Sequence, residues 1–262
     1  MSIAKLGVRG GRIAFISSGA KEADEALKTL VGLHGGVPLE QADVIVALGG
    51  DGLMLQTLHR IMNAPKPIYG MNRGSVGFLM NEYSERGLPE RLAAALPSII
   101  HPLVMRARDT HGVETTARAI NEVSLLRQVY QAAKLRIEVN EATRLSELIA
   151  DGVLVATPAG STAYNLSANG PILPLDAPLM ALTPLSPFRP RRWRGALLPD
   201  TARVVIQVLE ADKRPVAATA DHFEIRNVTR VAVAMDKATS LVLLHDPGHS
   251  LDERILREQF GY

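Results

Sequence analysis

The sequence predicts an α/β domain built on a parallel sheet, followed by a mostly-β domain. Two observations carry that expectation. Through the first third, short β-branched runs alternate with segments of 3.6-residue periodicity, as when helices pack on a parallel sheet. Past residue 97 helical spacing nearly vanishes, and runs of alternating apolar and polar residues replace it.

Residues 12–17 read as the first strand, after which Ala23, Ala26, Leu27, Leu30 and Val31 share one helical face. Residues 43–48 (DVIVAL) form a compact apolar run of the kind buried on both faces of a parallel sheet. They meet Gly49-Gly50-Asp51-Gly52, and Leu55, Leu58, Ile61 and Met62 then resume helical spacing. A strand over 67–71 and a helix over 89–96 complete the pattern, placing the first domain at residues 1–97. Residues 98–249 form the second domain. There Leu135, Ile137 and Val139 alternate with Arg136, Glu138 and Asn140, and further strands are expected over 204–209, 216–219, 231–234 and 241–244. A helix over 250–262 is expected to pack back on the first domain.

Composition narrows the chemistry. Of the 262 residues, 47% are hydrophobic and 21% charged, which suits a globular chain with a buried core. Cysteine is absent, which excludes disulfides, thiol nucleophiles and Cys-ligated zinc. No run approaches the roughly 18 apolar residues of a membrane span. Arg12 interrupts the N-terminus before a signal-like apolar stretch develops, so a cytoplasmic protein without membrane contact is expected. A net charge of +2 gives no general affinity for nucleic acid. The one basic run, Arg189-Pro190-Arg191-Arg192-Trp193-Arg194, is open to three readings: phosphate contact, subunit interface or solvated loop. His245 and His249 have a zinc-like spacing, but Pro247-Gly248 between them forbids the helix it needs.

The strand–Gly49-Gly50-Asp51-Gly52–helix turn is the most informative local feature. Glycines at a strand end allow positive φ and close approach of a ligand, and the following helix directs free N–H groups at phosphate. An aspartate there repels anions unless it takes a proton from an attacking hydroxyl or holds Mg²⁺. The structural alternative is an N-cap. A second cluster, Gly70-Met71-Asn72-Arg73-Gly74-Ser75-Val76-Gly77-Phe78, follows the next strand. It belongs on the same carboxyl edge, where open α/β sheets bind ligands. Asn121-Glu122 lies in a strand-like context, and is either a ligand contact or an exposed strand face. Residues 151–167 read as a strand, a Pro-Gly turn and a hydroxyl-rich helix start; Ser161 and Thr162 either cap that helix or meet a polar ligand, and Tyr164 offers a stacking face.

GGDG at 49–52, GxNxGxxGFL at 70–79, NE at 121–122 and DGxxxxTPxGSTAYxxSxxGP at 151–171 stand in the order and spacing of the NAD kinase family, which the chain resembles. Residues 186–199 are similar to alphaproteobacterial members. The resemblance implies an active site in the interdomain cleft and transfer of the terminal phosphoryl of ATP or polyphosphate to the 2′-hydroxyl of the adenosine ribose of NAD. It implies Asp51 as catalytic base and Gly49, Gly50, Gly52 and Asn72 at the donor phosphates. NAD would meet Gly52, Asn121, Glu122, Ala159, Thr162, Ala163, Tyr164, Ser167 and His222, the last within Asp221-His222. Asp151 matches a position that reaches a neighbouring subunit's site, which implies a homo-oligomer, a dimer or tetramer. Mg²⁺ or another divalent cation would accompany ATP, with no metal held directly by protein ligands. Leu53 and Asn169 depart locally from the family pattern. Two rival readings are a GGDG-type lipid kinase, which leaves the TPxGSTAY segment unexplained, and a non-catalytic NAD sensor, which gains nothing from Asp51.

Overall fold

The computed structural model describes residues 11–74, 77–191, 193–248, 253 and 260. They form two compact units, one made of the described residues up to Ile100 and from Thr239 onward, the other running from His101 to Ala238.

The first unit begins with β1 (Ile13–Ser17), α1 (Lys21–His34), β2 (Val44–Gly49), α2 (Asp51–Ile61), β3 (Ile68–Asn72), α3 (Leu88–Ala94) and β4 (Leu96–Ile100). Strands β1, β2 and β3 pair in parallel. All of β2 is buried, because helices cover both faces of the sheet. Ala23, Ala26 and Leu30 of α1 pack with Val44, Val46 and Leu48 on one face. On the other, Met54 of α2 closes over Gly70, where a Cβ would overlap Met54 and Met80.

The sequence assigns residues 241–244 to the second domain. The structure corrects this: strand Leu241–His245 lies inside the first sheet, parallel to β3 and antiparallel to β4. A short apolar run carries no mark of which sheet it joins. The expected boundary at residue 97 also falls inside a strand, since Pro97 pairs with Leu244. β4 is the edge of that sheet, where a missing N–H is tolerated. The helix expected over 250–262 lies outside the described residues apart from positions 253 and 260, as does His249.

The second unit starts with β5 (Leu103–Asp109), β6 (Glu114–Ala119), β7 (Glu122–Arg127), β8 (Ala133–Val139), β9 (Ala142–Ala150) and β10 (Gly152–Ala156). It continues with β11 (Leu179–Leu185), β12 (Ala196–Pro199), β13 (Arg203–Val208), β14 (Val216–Ala220), β15 (Phe223–Ile225) and β16 (Val228–Met235); the returning strand of the first unit is then β17. Two antiparallel six-stranded sheets result, ordered β12-β11-β10-β7-β14-β15 and β6-β5-β16-β13-β8-β9. Val123, Leu125, Val153 and Val155 of one sheet share a core with Met105, Leu135, Ile137, Val204 and Ile206 of the other. The outer face of β10 and β11 carries a smaller core of Leu154, Ala156, Ala181 and Leu185, closed by Leu173. That cover is the return of the segment that follows β10.

Candidate functional site

In the first unit, Ser17 pairs with Leu48 and Gly49 with Asn72, so three parallel strands end level with one another. The glycine-rich turn sits at this carboxyl edge. Its glycines do not adopt the positive φ that the sequence suggests: Gly50 is extended at φ −123°, and none of Gly49, Gly50 and Gly52 is left-handed. The turn continues straight from strand to helix, so space rather than handedness selects glycine. A Cβ on Gly49 would press on Ser18 and Leu53, whereas Gly50 and Gly52 have nothing within 4 Å. Nothing in the fold requires those two to be glycine, which suits close approach by a ligand.

Asp51 is the first residue of α2, and Gly50 is the cap, with no side-chain capping bond. The N-cap alternative therefore fails. The carboxylate reaches across to the second glycine cluster, accepting from Phe78 N at 2.6 Å and Leu79 N at 2.8 Å. Gly77 makes room for it, since a Cβ there would stand 2.7 Å from Asp51 Oδ1. Each oxygen keeps acceptor capacity beyond its one N–H bond. Asn72 ends β3 beside Gly49; its Oδ1 is buried and has no hydrogen-bond partner among the described residues. Asn81, which the sequence reading missed, fastens this edge: its Nδ2 donates to Gly70 O and Leu244 O, each at 3.0 Å. A lone Asn outside any motif gives no signal of such a role.

The second unit gathers its polar residues where β7 starts and its antiparallel neighbours β10 and β14 end. Asp221 occupies the first position of the two-residue turn between β14 and β15 with φ 51°, a conformation Asp tolerates. Its carboxylate accepts from Ile120 N (2.6 Å), Asn121 N (3.0 Å) and Glu122 N (3.2 Å). Thr157 pins the same segment, donating from Oγ1 to Ile120 O at 2.7 Å and from its own N–H to Asn121 O at 2.9 Å. The chain then forms a 3-10 turn over Ala159–Thr162 and the short α4 (Tyr164–Ser167). Gly160 lies so close to the Asn121 backbone that a Cβ would collide with it.

Neither Ser161 nor Thr162 caps a helix. Ser161 is fully buried, donating to Pro158 O at 2.7 Å and accepting from Leu173 N at 3.0 Å. Asn165 holds the loop shut, donating to Ser161 O and Pro171 O and accepting from Thr183 Oγ1 at 2.7 Å. Ala159 is buried, Thr162 and Ala163 are half-buried, and Tyr164, Ser167 and His222 are exposed. The Glu122 carboxyl accepts from the Tyr164 backbone N–H, and its Oε2 is buried without a hydrogen-bond partner among the described residues. Burial first, and then the negative Asp221 beside it, push this carboxyl up to about 7. Near neutral pH it therefore exists in both states, able to donate or to accept a hydrogen bond.

Asp151 is not brought to this cluster. It precedes β10, at the far end of that strand from Ala156, and pairs with Arg127 at the end of β7. Arg127 carries no motif signal and was not anticipated. The basic run lies against β9: Arg189 exchanges backbone bonds with Ile149, and both Arg189 and Arg191 stand over the Phe188 ring. Arg192 is outside the described residues, and Trp193 packs half-buried against the main core. Among the described residues no group of three or more His, Cys, Asp or Glu is arranged to hold a metal. No helix among them is long and apolar enough to cross a membrane.

Comparison with known proteins covers both units. Residues 35–103 match the ATP-NAD kinase N-terminal domain, and residues 120–239 the ATP-NAD kinase C-terminal domain. The chain is 60% identical over 250 residues to an NAD kinase of Caulobacter vibrioides, covering 95% of this chain and 96% of that protein. It is 60% identical over 249 residues to an NAD kinase of Rhizobium meliloti, covering 95% and 97%. The fold is similar to that of yeast NADH kinase complexed with NADH (TM-score 0.80, 21% identity, 96% of this chain and 87% of that one). It is also similar to an NAD kinase from Archaeoglobus fulgidus in complex with ATP (TM-score 0.73, 22% identity, 95% and 97%).

Proposed function

The chain belongs to the NAD kinase family, and from that premise we propose how its residues divide the work of phosphorylating NAD. It is an ATP-dependent enzyme that moves a phosphoryl group to the 2′-hydroxyl of the adenosine ribose, giving NADP. A lipid-kinase reading has no account of the match over residues 120–239.

Asp51 is the general base. The observation that carries this is its carboxylate, suspended between Phe78 N and Leu79 N rather than spent on capping its own helix. A base fixed this way needs no reorganisation to accept the ribose proton as the oxygen attacks the terminal phosphorus in line. Gly49, Gly50, Gly52 and Asn72 receive the donor phosphates, a role supported by the open space beside Gly50 and Gly52 and by the Asn72 amide oxygen, which has no hydrogen-bond partner among the described residues. Polyphosphate is an alternative donor for the same turn. A divalent cation, Mg²⁺ by preference, would accompany the donor rather than be held by protein carboxylates, and would supply neutralisation of phosphate charge.

NAD is held by Gly52, Asn121, Glu122, Ala159, Thr162, Ala163, Tyr164, Ser167 and His222. The support is the clamp of part-buried Asp221 and buried Thr157 that sets the backbone of 120–122, with Glu122 Oε2 lacking a hydrogen-bond partner among the described residues. Asp151 acts on a neighbouring subunit's NAD in a homo-oligomer; its separation from the Glu122 cluster along β10 favours that role. The enzyme works in the cytoplasm, in keeping with its lack of cysteine.

The test is NADP formation from NAD, ATP and Mg²⁺ by wild-type and Asp51→Asn protein. We expect Asp51→Asn to lose about 10²–10⁴ in kcat, with NAD binding by calorimetry and the thermal midpoint close to wild type. Near-normal turnover in the folded variant would remove the base.

A further inference from the structure

We propose that Arg73 is a phosphate-binding residue for the phosphoryl donor, a reading that rests on the donor site proposed above and adds a cation to it. Arg73 follows β3 directly, and its backbone N–H donates to Gly49 O at 2.8 Å, so the residue is tethered to the glycine-rich turn itself. Its guanidinium carbon stands 4.2 Å from the centroid of the Tyr83 ring, and Nε donates to Glu22 O in the first turn of α1 at 3.1 Å. One face is thus stacked and one N–H committed. The plane is set, and neither terminal nitrogen has a hydrogen-bond partner among the described residues.

Among the described residues no carboxylate pairs with Arg73, in contrast to Arg91 of the same unit, which is bonded to Asp246. Ordering a long side chain loses rotamer entropy, and holding its charge half-buried loses hydration. An anion arriving at the fork offsets both. The free volume beside Gly50 and Gly52, at the start of α2, gives that anion somewhere to lie. Ser18, exposed at the end of β1 against Gly49, adds a hydroxyl on the same edge. A planar two-pronged cation against an open glycine turn suits the oxygens of a di- or triphosphate.

The experiment compares Arg73→Ala, Arg73→Lys and wild type in steady-state kinetics with ATP and NAD varied separately. Calorimetry with a non-hydrolysable ATP analogue and Mg²⁺, and thermal midpoints, are recorded alongside. For Arg73→Ala we expect the ATP KM and the analogue Kd to rise about 10- to 100-fold, the worth of charge-assisted bonds, while the NAD KM stays within about twofold. Arg73→Lys should recover part of the loss, since it restores the charge without the fork. An unchanged analogue Kd in folded Arg73→Ala overturns the proposal. So does a parallel rise in both KM values with a lowered thermal midpoint, which marks a stacking brace alone. The Asp51→Asn outcome bears on the base and leaves the calorimetric arm intact, so the two readings fail separately.

Discussion

Glu122 carries the most consequential ionisation in the second unit. Its carboxyl, ordinarily near 4.5, is raised to about 7 by burial and by Asp221, against the opposing pull of the Tyr164 N–H. The folded chain therefore binds this proton more tightly than the unfolded chain does. The stability it contributes is full below pH of about 4.5 and is lost as pH rises through about 7. Urea midpoints across pH 4–9 should fall through that window in wild type and stay flatter in Glu122→Gln, which is neutral throughout. Parallel profiles would mean that Glu122 ionises normally. The pair Asn121-Glu122 was visible in the sequence as a motif, and so was Asp51 in its glycine-rich turn. The partners that give these residues their properties were not. Phe78 and Leu79 act on Asp51 through backbone N–H groups, which every residue but proline has, so no choice of residue type betrays them.

At the level of the element, the loop after β10 is held from inside by one amide. Asn165 is fully buried and satisfies Ser161 O, Pro171 O and Thr183 Oγ1, while Gly170 leaves it room. Asn165→Ala strands those partners away from water. The expected cost is about 3 kcal/mol in urea unfolding, together with a weaker calorimetric NAD affinity, because the turn carrying Thr162 and Tyr164 is no longer drawn down. Unchanged stability would show that water replaces the amide. The motif over 151–171 was legible, and its hydroxyls suggested either capping or ligand contact. Ser161 caps no helix; its fully buried hydroxyl joins the turn to Leu173. Only partners distant along the chain reveal that assignment.

For the whole molecule, the path of the chain decides which parts stand alone. β17 lies between β3 and β4, and Asp246 just beyond it accepts from Tyr69 Oη at 2.6 Å and pairs with Arg91. A fragment of residues 1–100 lacks this inner strand and should show no cooperative unfolding by circular dichroism. A fragment of residues 101–238 contains both of its sheets and their shared core, and should unfold cooperatively. A folded 1–100 fragment would show that β17 is dispensable. The order of classes, α/β and then mostly β, was readable because periodicity is a local property that neighbouring residues share. The family was readable too, since its motifs are contiguous strings in a set order. Sheet membership was not: an apolar run such as residues 241–245 suits any buried position, and β4, β6 and β12 lie at sheet edges, where burial writes a weak pattern. Hydrogen bonding between strands far apart in the chain settles such placements, together with the clamps on Asp51 and on residues 120–122. Those bonds run mostly through backbone atoms, whose chemistry is the same at nearly every position.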